Sequence, residues 1–227
     1  MKQLLYKEYK LCLVSMVPIF YLLALMILIP NYPYLVAAFF TCNSIFFLFK
    51  QSVVNGDLLF TTLLPVPKSD VVRARIRFVV IIQMIMFLLF IPMIAVNHKL
   101  FPAGNPAGTD GSLTFLAAAL VLFTIFNRVF IPGFYKNEHK MDRLFLFSLI
   151  AVFGWILLWE GSMIAAGAAQ RLVPFFAWVE SHLDCWPKTS AAWTAQIIAL
   201  AIGALIYIVG TVLTTRRAIR DFEQVDL

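Results

Sequence analysis

Six long apolar runs constrain this chain more than any other feature. A helix that crosses the hydrocarbon core of a bilayer needs about 20 mainly apolar residues. The sequence therefore predicts an all-α integral membrane protein with six transmembrane helices, forming a single transmembrane domain over residues 1–227. The predicted spans are about 11–29, 34–49, 78–96, 113–131, 145–167 and 192–213.

The composition agrees with a lipid environment. Hydrophobic residues make up 62% of the chain and charged residues 13%, whereas soluble domains carry about 25% charged residues. Such a chain has too little polar surface to cover a water-facing globule. The net charge of +6 does not indicate nucleic-acid binding, because the basic residues lie in short segments between apolar runs and not on a solvated domain.

The distribution of basic residues predicts the orientation. Lysine and arginine are enriched in the cytoplasmic connections of membrane proteins. With a cytoplasmic N terminus, only Lys99, Arg171 and Lys188 fall in outer connections, while most of the 18 basic residues fall in inner ones. We therefore expect both termini to be cytoplasmic.

Sequence motifs for catalysis are missing. The chain has no G-x-x-x-x-G-K-[ST] loop to hold nucleotide phosphates, and no H-E-x-x-H or G-x-S-x-G motif. Its three cysteines form no C-x-x-C pair, and its three histidines lie in three different connections. The sequence therefore predicts no catalytic residues, no cofactor and no metal bound by this chain.

A few residues within the predicted spans are candidates for function or packing. Glu160 is a carboxylate within a span, so it is a possible pathway residue, or alternatively a partner for Arg171 or for outer headgroups. Other polar side chains at membrane depth, such as Gln83 and Asn127, are few. Ala199 and Gly203 are spaced by four residues and predict a close helix contact.

The inner connection over residues 50–77 is the most informative. Asp57 can begin a short helix that ends at Leu64, where Pro65 and Pro67 stop it. The apolar side chains of this helix require lipid headgroups or a protein partner to cover them.

Three arginines follow this helix in the same connection. Arg73, Arg75 and Arg77 are interpreted as residues that hold orientation beside anionic lipid. Residues 171–186, between spans five and six, have helical apolar spacing and predict an outer interfacial helix.

Two segments carry a family resemblance. They are M-K-Q-L-L-Y-K-E-Y-K at residues 1–10, and Asp57-Leu58-Leu59 followed by Leu64-Pro65-Val66-Pro67-Lys68. These segments and the six spans resemble the permease subunits of ABC-2 exporters, and most closely the small bacterial permeases that include phenol-soluble modulin exporters. The resemblance implies an interfacial N-terminal helix and a cytoplasmic coupling helix that docks on an ATPase subunit. The docking residues implied in this way are Asp57, Leu58, Phe60, Thr61, Leu64, Pro65, Val66, Pro67 and Lys68.

The resemblance also implies a function. The chain would be the permease half of an ATP-binding-cassette exporter in a bacterial plasma membrane, working as a homodimer with two ATPase subunits that bind ATP and magnesium. Its cargo would be a hydrophobic or amphipathic peptide of the toxin or antimicrobial type. Alternatives are a secondary transporter or membrane immunity protein that works without ATP, or an intramembrane enzyme.

Overall fold

The computed structural model describes residues 2–12, 17–63, 65–102, 104–105, 108–169 and 173–225. All regular secondary structure within these residues is helical, which confirms the all-α prediction. The α-helices are α1 (Lys2–Cys12), α2 (Val17–Tyr21), α3 (Leu35–Val54), α4 (Asp57–Thr62), α5 (Lys68–Leu100), α6 (Leu113–Lys136), α7 (Met141–Ala169), α8 (Pro174–His182) and α9 (Ser190–Glu223). Two 3-10 segments, Leu22–Leu28 and Glu138–Lys140, complete the described structure.

Among the described residues, five helices are long and apolar enough to cross a membrane: α3, α5, α6, α7 and α9. They carry the predicted second to sixth spans. The first predicted span, residues 11–29, is not shown as one helix: its described residues belong to the end of α1, to α2, to the 3-10 segment and to Ile29. The twelve residues of α2 and the 3-10 segment extend only about 20 Å, whereas the hydrocarbon core is about 30 Å thick. The described residues therefore show five long apolar helices, and the sixth span stays a prediction.

Part of that first apolar run packs against protein, whereas Ile19, Leu22 and Leu25 are exposed. Ala24 and Ile27 are buried, and the Asn97 side-chain amide of α5 donates a hydrogen bond of 2.7 Å to the Ile27 carbonyl. Asn31, with φ of 55°, then turns the chain toward α3. A side-chain donor can satisfy a carbonyl that lacks an α-helical partner, so this segment keeps an irregular backbone inside the fold.

Helix α6 lies at the centre of the bundle. It is apolar on all sides, as expected for a helix that neighbours surround. Of the residues in its most apolar stretch, 72% are buried inside the protein. Its phenylalanines meet those of α3 edge to face: the rings of Phe49 and Phe130 lie 5.3 Å apart at 87°. Such aromatic pairs stabilise a core beyond the area that they bury.

Glycine allows α9 to run close beside α6. A Cβ atom on Gly203 would lie 2.9 Å from the backbone of Ala117. Two helical turns further along α9, Gly210 lies beside Thr124. Both helices therefore run in the same direction with their backbones in near contact. Ala199 has a different neighbour, because it lines an apolar groove with Trp178 of α8.

The two ends of the bundle differ in chemistry. The basic end is the end that carries α1, α4, the start of α5 and the end of α9. There Lys68 donates a hydrogen bond of 2.6 Å to the Val225 carbonyl. The loop end carries the described residues 101–102, 104–105 and 108–112, together with α8 and the starts of α3 and α9. There the Asp110 N–H donates a hydrogen bond of 2.7 Å to the Asp184 carboxylate.

Candidate functional site

The short helix α4 lies at the basic end, in the connection that the sequence singled out. Gly56 precedes it with φ of +60°, a left-handed conformation that allows a sharp turn from α3. The helix ends at Thr62, two residues before the predicted end at Leu64, which lies outside the described residues. Pro65 and Pro67 follow without helical structure, because proline cannot donate a helical hydrogen bond.

The two faces of α4 differ in burial. Asp57, Leu58 and Thr61 are buried against the bundle. On the other side the Phe60 side chain is 62% exposed, and Leu63, just after the helix, is 78% exposed. These two apolar side chains form an uncovered tip at the basic end, which we call the apolar tip. Exposed apolar groups of this kind indicate contact with lipid or with a protein partner.

The other predicted docking residues follow α4 in the chain and differ in their exposure. Pro65 and Pro67 are exposed, while Val66 and Lys68 are half-buried. Lys68 is held by the Val225 carbonyl and lies 5.5 Å from the Phe222 ring centre. Its ammonium group therefore contacts the end of α9.

Four charged residues fix α4 to the rest of the bundle. Asp57 accepts hydrogen bonds from Lys7 of α1 at 2.8 Å and from Arg75 of α5 at 2.5 Å. Arg75 also contacts Glu8 of α1, with Nε 2.5 Å from the carboxylate. We call Lys7, Glu8, Asp57 and Arg75 the ion network. Ser52 of α3 adds a hydrogen bond of 3.2 Å to Asp57.

Most of the ion network is shielded from solvent. Glu8 is 1% exposed and Arg75 2% exposed. Burial alone would raise the pKa of Asp57, but the hydrogen bond from Lys7 and the charges of Arg75 and Lys7 outweigh it and hold that pKa below its ordinary value. Two cations and two anions therefore neutralise one another inside the protein and join α1, α4 and α5.

The structure corrects the interpretation of one arginine. Arg75 was expected beside anionic lipid together with Arg73 and Arg77. It is buried in the ion network, whereas Arg73 and Arg77 are exposed. The spacing of two residues explains this difference, because on a helix it places Arg75 on the face opposite to its two neighbours.

Glu160 lies at the loop end and is 4% exposed. Its carboxylate accepts hydrogen bonds from the backbone N–H of Leu35 at 3.0 Å and of Thr109 at 2.6 Å. Leu35 is the first residue of α3, whose N–H lacks a helical partner. The side chain therefore joins α7, α3 and the loop before α6. Its alternative partner Arg171 lies outside the described residues, and a role in a pathway stays a prediction.

A buried polar cluster in the middle of the bundle was not predicted as a unit. The side-chain amides of Gln83 on α5 and Asn127 on α6 exchange two hydrogen bonds of 3.0 Å, and the Tyr207 hydroxyl of α9 donates one of 2.7 Å to Gln83. Polar pairs of this kind join transmembrane helices. The sequence shows each polar residue within an apolar run but not that the three meet.

A cavity of about 390 Å³ opens at the loop end. Its walls include the carboxyl groups of Asp110, Glu180 and Asp184 and the ring of His98. Within the part of the chain that the structure describes, no group of three or more His, Cys, Asp or Glu side chains has the arrangement of a metal site. Burial raises the pKa of the Asp184 carboxyl to about 7, although the Asp110 N–H that it accepts acts in the opposite direction.

The raised pKa of Asp184 predicts a pH dependence of stability. The unfolded carboxyl has a pKa of about 3.9, so the folded protein binds the proton more tightly. The contribution of Asp184 to stability is then fully present below about pH 4 and is lost as the pH rises through about 7. We expect Asp184→Asn to be more stable than wild type at pH 8 by roughly 2 kcal/mol, because partial contact with water reduces the full effect.

The measurement is thermal unfolding in detergent at pH 5 and pH 8. The exposed Asp142, at the start of α7, provides a control, and Asp142→Asn should keep the wild-type pH dependence. Identical pH profiles for Asp184→Asn and wild type would show that Asp184 does not cause the effect.

Comparison with known proteins assigns the chain to a family. Residues 3–217 match a family model described as ABC-2 family transporter protein. No curated protein and no solved structure matches the chain. The match covers nearly the whole sequence, from the second residue of α1 through α4 and into the last turns of α9. The chain therefore belongs to the ABC-2 family of transporter proteins and is a multi-pass membrane permease.

Proposed function

We propose that this permease is the membrane half of an exporter, and that α4 is the coupling helix on which a separate ATPase subunit docks. The apolar tip carries this proposal: Phe60 and Leu63 are exposed on an element that buried charges fix to the bundle. A loop that only rested on headgroups would not require a buried ion network beneath it.

The ion network gives α4 a means of transmitting movement. Arg75 lies in the second turn of α5, a helix of 33 residues that extends about 50 Å toward the loop end. A displacement of α4 by an ATPase subunit would therefore act directly on α5 and, through Glu8 and Lys7, on α1. Transport requires such a connection, because ATP is bound outside the membrane domain and cargo crosses within it.

The rest of the assembly follows from the family and the sequence. No phosphate-binding loop motif occurs in the chain, so ATP and magnesium would be bound by two ATPase subunits. Two permease copies would form a homodimer, since symmetric pairs are the commonest assembly. The excess of lysine and arginine supports a cytoplasmic basic end and cytoplasmic termini in a bacterial plasma membrane.

Two finer features belong to the same proposal. Residues 11–29 would complete a sixth crossing in the assembled transporter. The cargo would be an amphipathic peptide, which the resemblance to phenol-soluble modulin exporters supports.

The experiment replaces the apolar tip with charge. In Phe60→Asp/Leu63→Asp we expect the affinity for the ATPase subunit to fall at least about 30-fold, because central apolar contacts each contribute about 2 kcal/mol or more to an interface. The permease itself should fold normally, since both side chains are exposed. The measurements are co-purification of the ATPase subunit from the native host and stimulation of its ATPase activity.

The control introduces an acidic residue elsewhere at the same end. Lys140 is exposed in the 3-10 segment between α6 and α7, and Lys140→Asp should retain the ATPase subunit. If wild type co-purifies with no nucleotide-binding protein, the chain acts without ATP, as a secondary transporter or an immunity protein would. Retention of the subunit by the double variant would place docking elsewhere.

A further inference from the structure

A groove of about 610 Å³ opens at the basic end between α5 and α9, beside Leu5 of α1. Three arginines line it: Arg73 and Arg77 from α5 and Arg216 from α9. The other walls are mainly aliphatic and include Ile81 and Val212. The groove therefore combines a cationic rim with an apolar interior.

The charged and apolar parts of the groove lie at different depths. Helices α5 and α9 are antiparallel, since Lys68 contacts Val225 at one level and Gln83 contacts Tyr207 deeper in the bundle. On α5, Ile81 follows Arg77 by one helical turn and lies deeper in the bundle. On α9, which runs in the opposite direction, Val212 precedes Arg216 by one turn and therefore also lies deeper. The aliphatic layer is therefore about 6 Å deeper than the arginine layer.

Within the described part of the chain, two of these arginines have no carboxylate in contact with them. Arg73 contacts Asp70 at 3.2 Å. Among the described residues, no carboxylate lies within 4.0 Å of Arg77 or Arg216, and both side chains are exposed. By contrast, Arg217 lies 3.6 Å from Asp221. The uncompensated positive charge is thus located at the rim of the groove.

We infer that this groove binds one anionic phospholipid from the leaflet next to the basic end, with its phosphate at Arg77 and Arg216 and an acyl chain against Ile81 and Val212. Guanidinium groups bind phosphate through paired hydrogen bonds. Basic pockets between transmembrane helices suit anionic headgroups. Free phosphate would leave the aliphatic layer uncovered, and a zwitterionic lipid would leave the excess positive charge uncompensated.

The volume and position of the groove fit this ligand. Ligand pockets of about 300–1,000 Å³ hold small molecules, so the groove has room for a headgroup and the first part of one chain. The bound lipid would contact α5, α9 and Leu5 of α1 together. It would thereby hold the basic end of α9 against the helix that carries the ion network.

The test measures lipid retained by the purified permease in an equimolar mixture of phosphatidylglycerol and phosphatidylcholine, using native mass spectrometry. Wild type should retain one phosphatidylglycerol per chain. Each arginine near a phosphate contributes about fivefold to binding, so Arg77→Gln/Arg216→Gln should lower the preference for phosphatidylglycerol about 30-fold. Arg143→Gln/Arg220→Gln removes the same charge from exposed sites outside the groove and should retain the preference.

A second variant tests the apolar layer. Val212→Trp fills the groove below the arginines and should abolish phosphatidylglycerol retention, while inorganic phosphate should not displace the lipid from wild type. Retention in Val212→Trp, displacement by inorganic phosphate, absence of a preference in wild type, or an equal loss in the control variant would each overturn the inference. All measurements use the permease alone, so their failure leaves the proposed ATPase docking untouched.

Discussion

Arg75→Met is expected to lower the free energy of unfolding by about 3–5 kcal/mol. Removing one partner of a buried ion pair leaves the other charge without compensation in a poorly solvated site. Here Glu8 and Asp57 would both remain buried after the guanidinium charge is lost, although Lys7 would still contact both carboxylates. The measurement is unfolding in detergent micelles, followed by circular dichroism.

Arg73→Met is the matched control, because it makes the same substitution two residues earlier on the same helix. Arg73 is 48% exposed and its partner Asp70 is 32% exposed. Exposed pairs contribute about 0–1 kcal/mol, so this variant should unfold nearly as wild type does. Equal losses in the two variants would show that burial of the ion network has no special importance for stability.

A double variant separates lost charge balance from lost packing. Glu8→Gln/Arg75→Met removes one anion and one cation, so that Lys7 and Asp57 remain as a pair at 2.8 Å. Buried ion pairs are often replaced by uncharged groups at little cost when both charges are removed together. We therefore expect the double variant to recover part of the stability lost in Arg75→Met. No recovery would indicate that packing of the guanidinium group dominates.

Glu160→Leu is expected to lower the free energy of unfolding by about 3–6 kcal/mol. The carboxylate accepts hydrogen bonds from two backbone N–H groups, of Leu35 and Thr109, and hydrogen bonds to charged groups contribute about 1.5–3 kcal/mol each. Leucine leaves both donors buried without an acceptor. Thermal unfolding in detergent measures this loss, and Glu223→Leu, an exposed site near the end of α9, should change stability by less than about 0.5 kcal/mol.

Glu160→Gln distinguishes a structural role from a role in a pathway. The amide oxygen of the new glutamine can still accept a hydrogen bond from one of the two backbone N–H groups. Its NH₂ group is a donor, so the other backbone N–H is left without an acceptor. A structural role predicts an intermediate loss of stability together with reduced transport. Wild-type stability with abolished transport would instead assign Glu160 to the pathway and contradict the prediction for Glu160→Leu.

The spans differ in how far they were predictable. Residues 78–96, 113–131, 145–167 and 192–213 each form part of one long helix, because length and apolarity are local properties of the chain. Residues 11–29 are equally apolar, yet Ile27 is buried beside α5 and its carbonyl is held by Asn97. Part of the apolarity in that run therefore serves packing against protein, while Ile19 and Leu22 are exposed, and a count of hydrophobic residues does not separate the two cases.

The candidate site shows the same division. The family resemblance predicted Asp57 and Phe60 as docking residues, but the sequence could not show that Asp57 is buried while Phe60 is exposed. It interpreted Arg75 as a lipid contact, and it assigned Lys7 no function beyond its place in an interfacial helix.

The sequence by itself determined the helical class, the location of the long apolar helices and the basic character of one end. These features depend on residue type and spacing within single segments. The tertiary structure decided which charges are buried. Lys7 and Asp57 are 50 residues apart in the chain, and Asp57 and Arg75 are 18 apart. Their contact exists only once α1, α4 and α5 have packed together, because electrostatic partners are selected by distance in space and by exclusion of water.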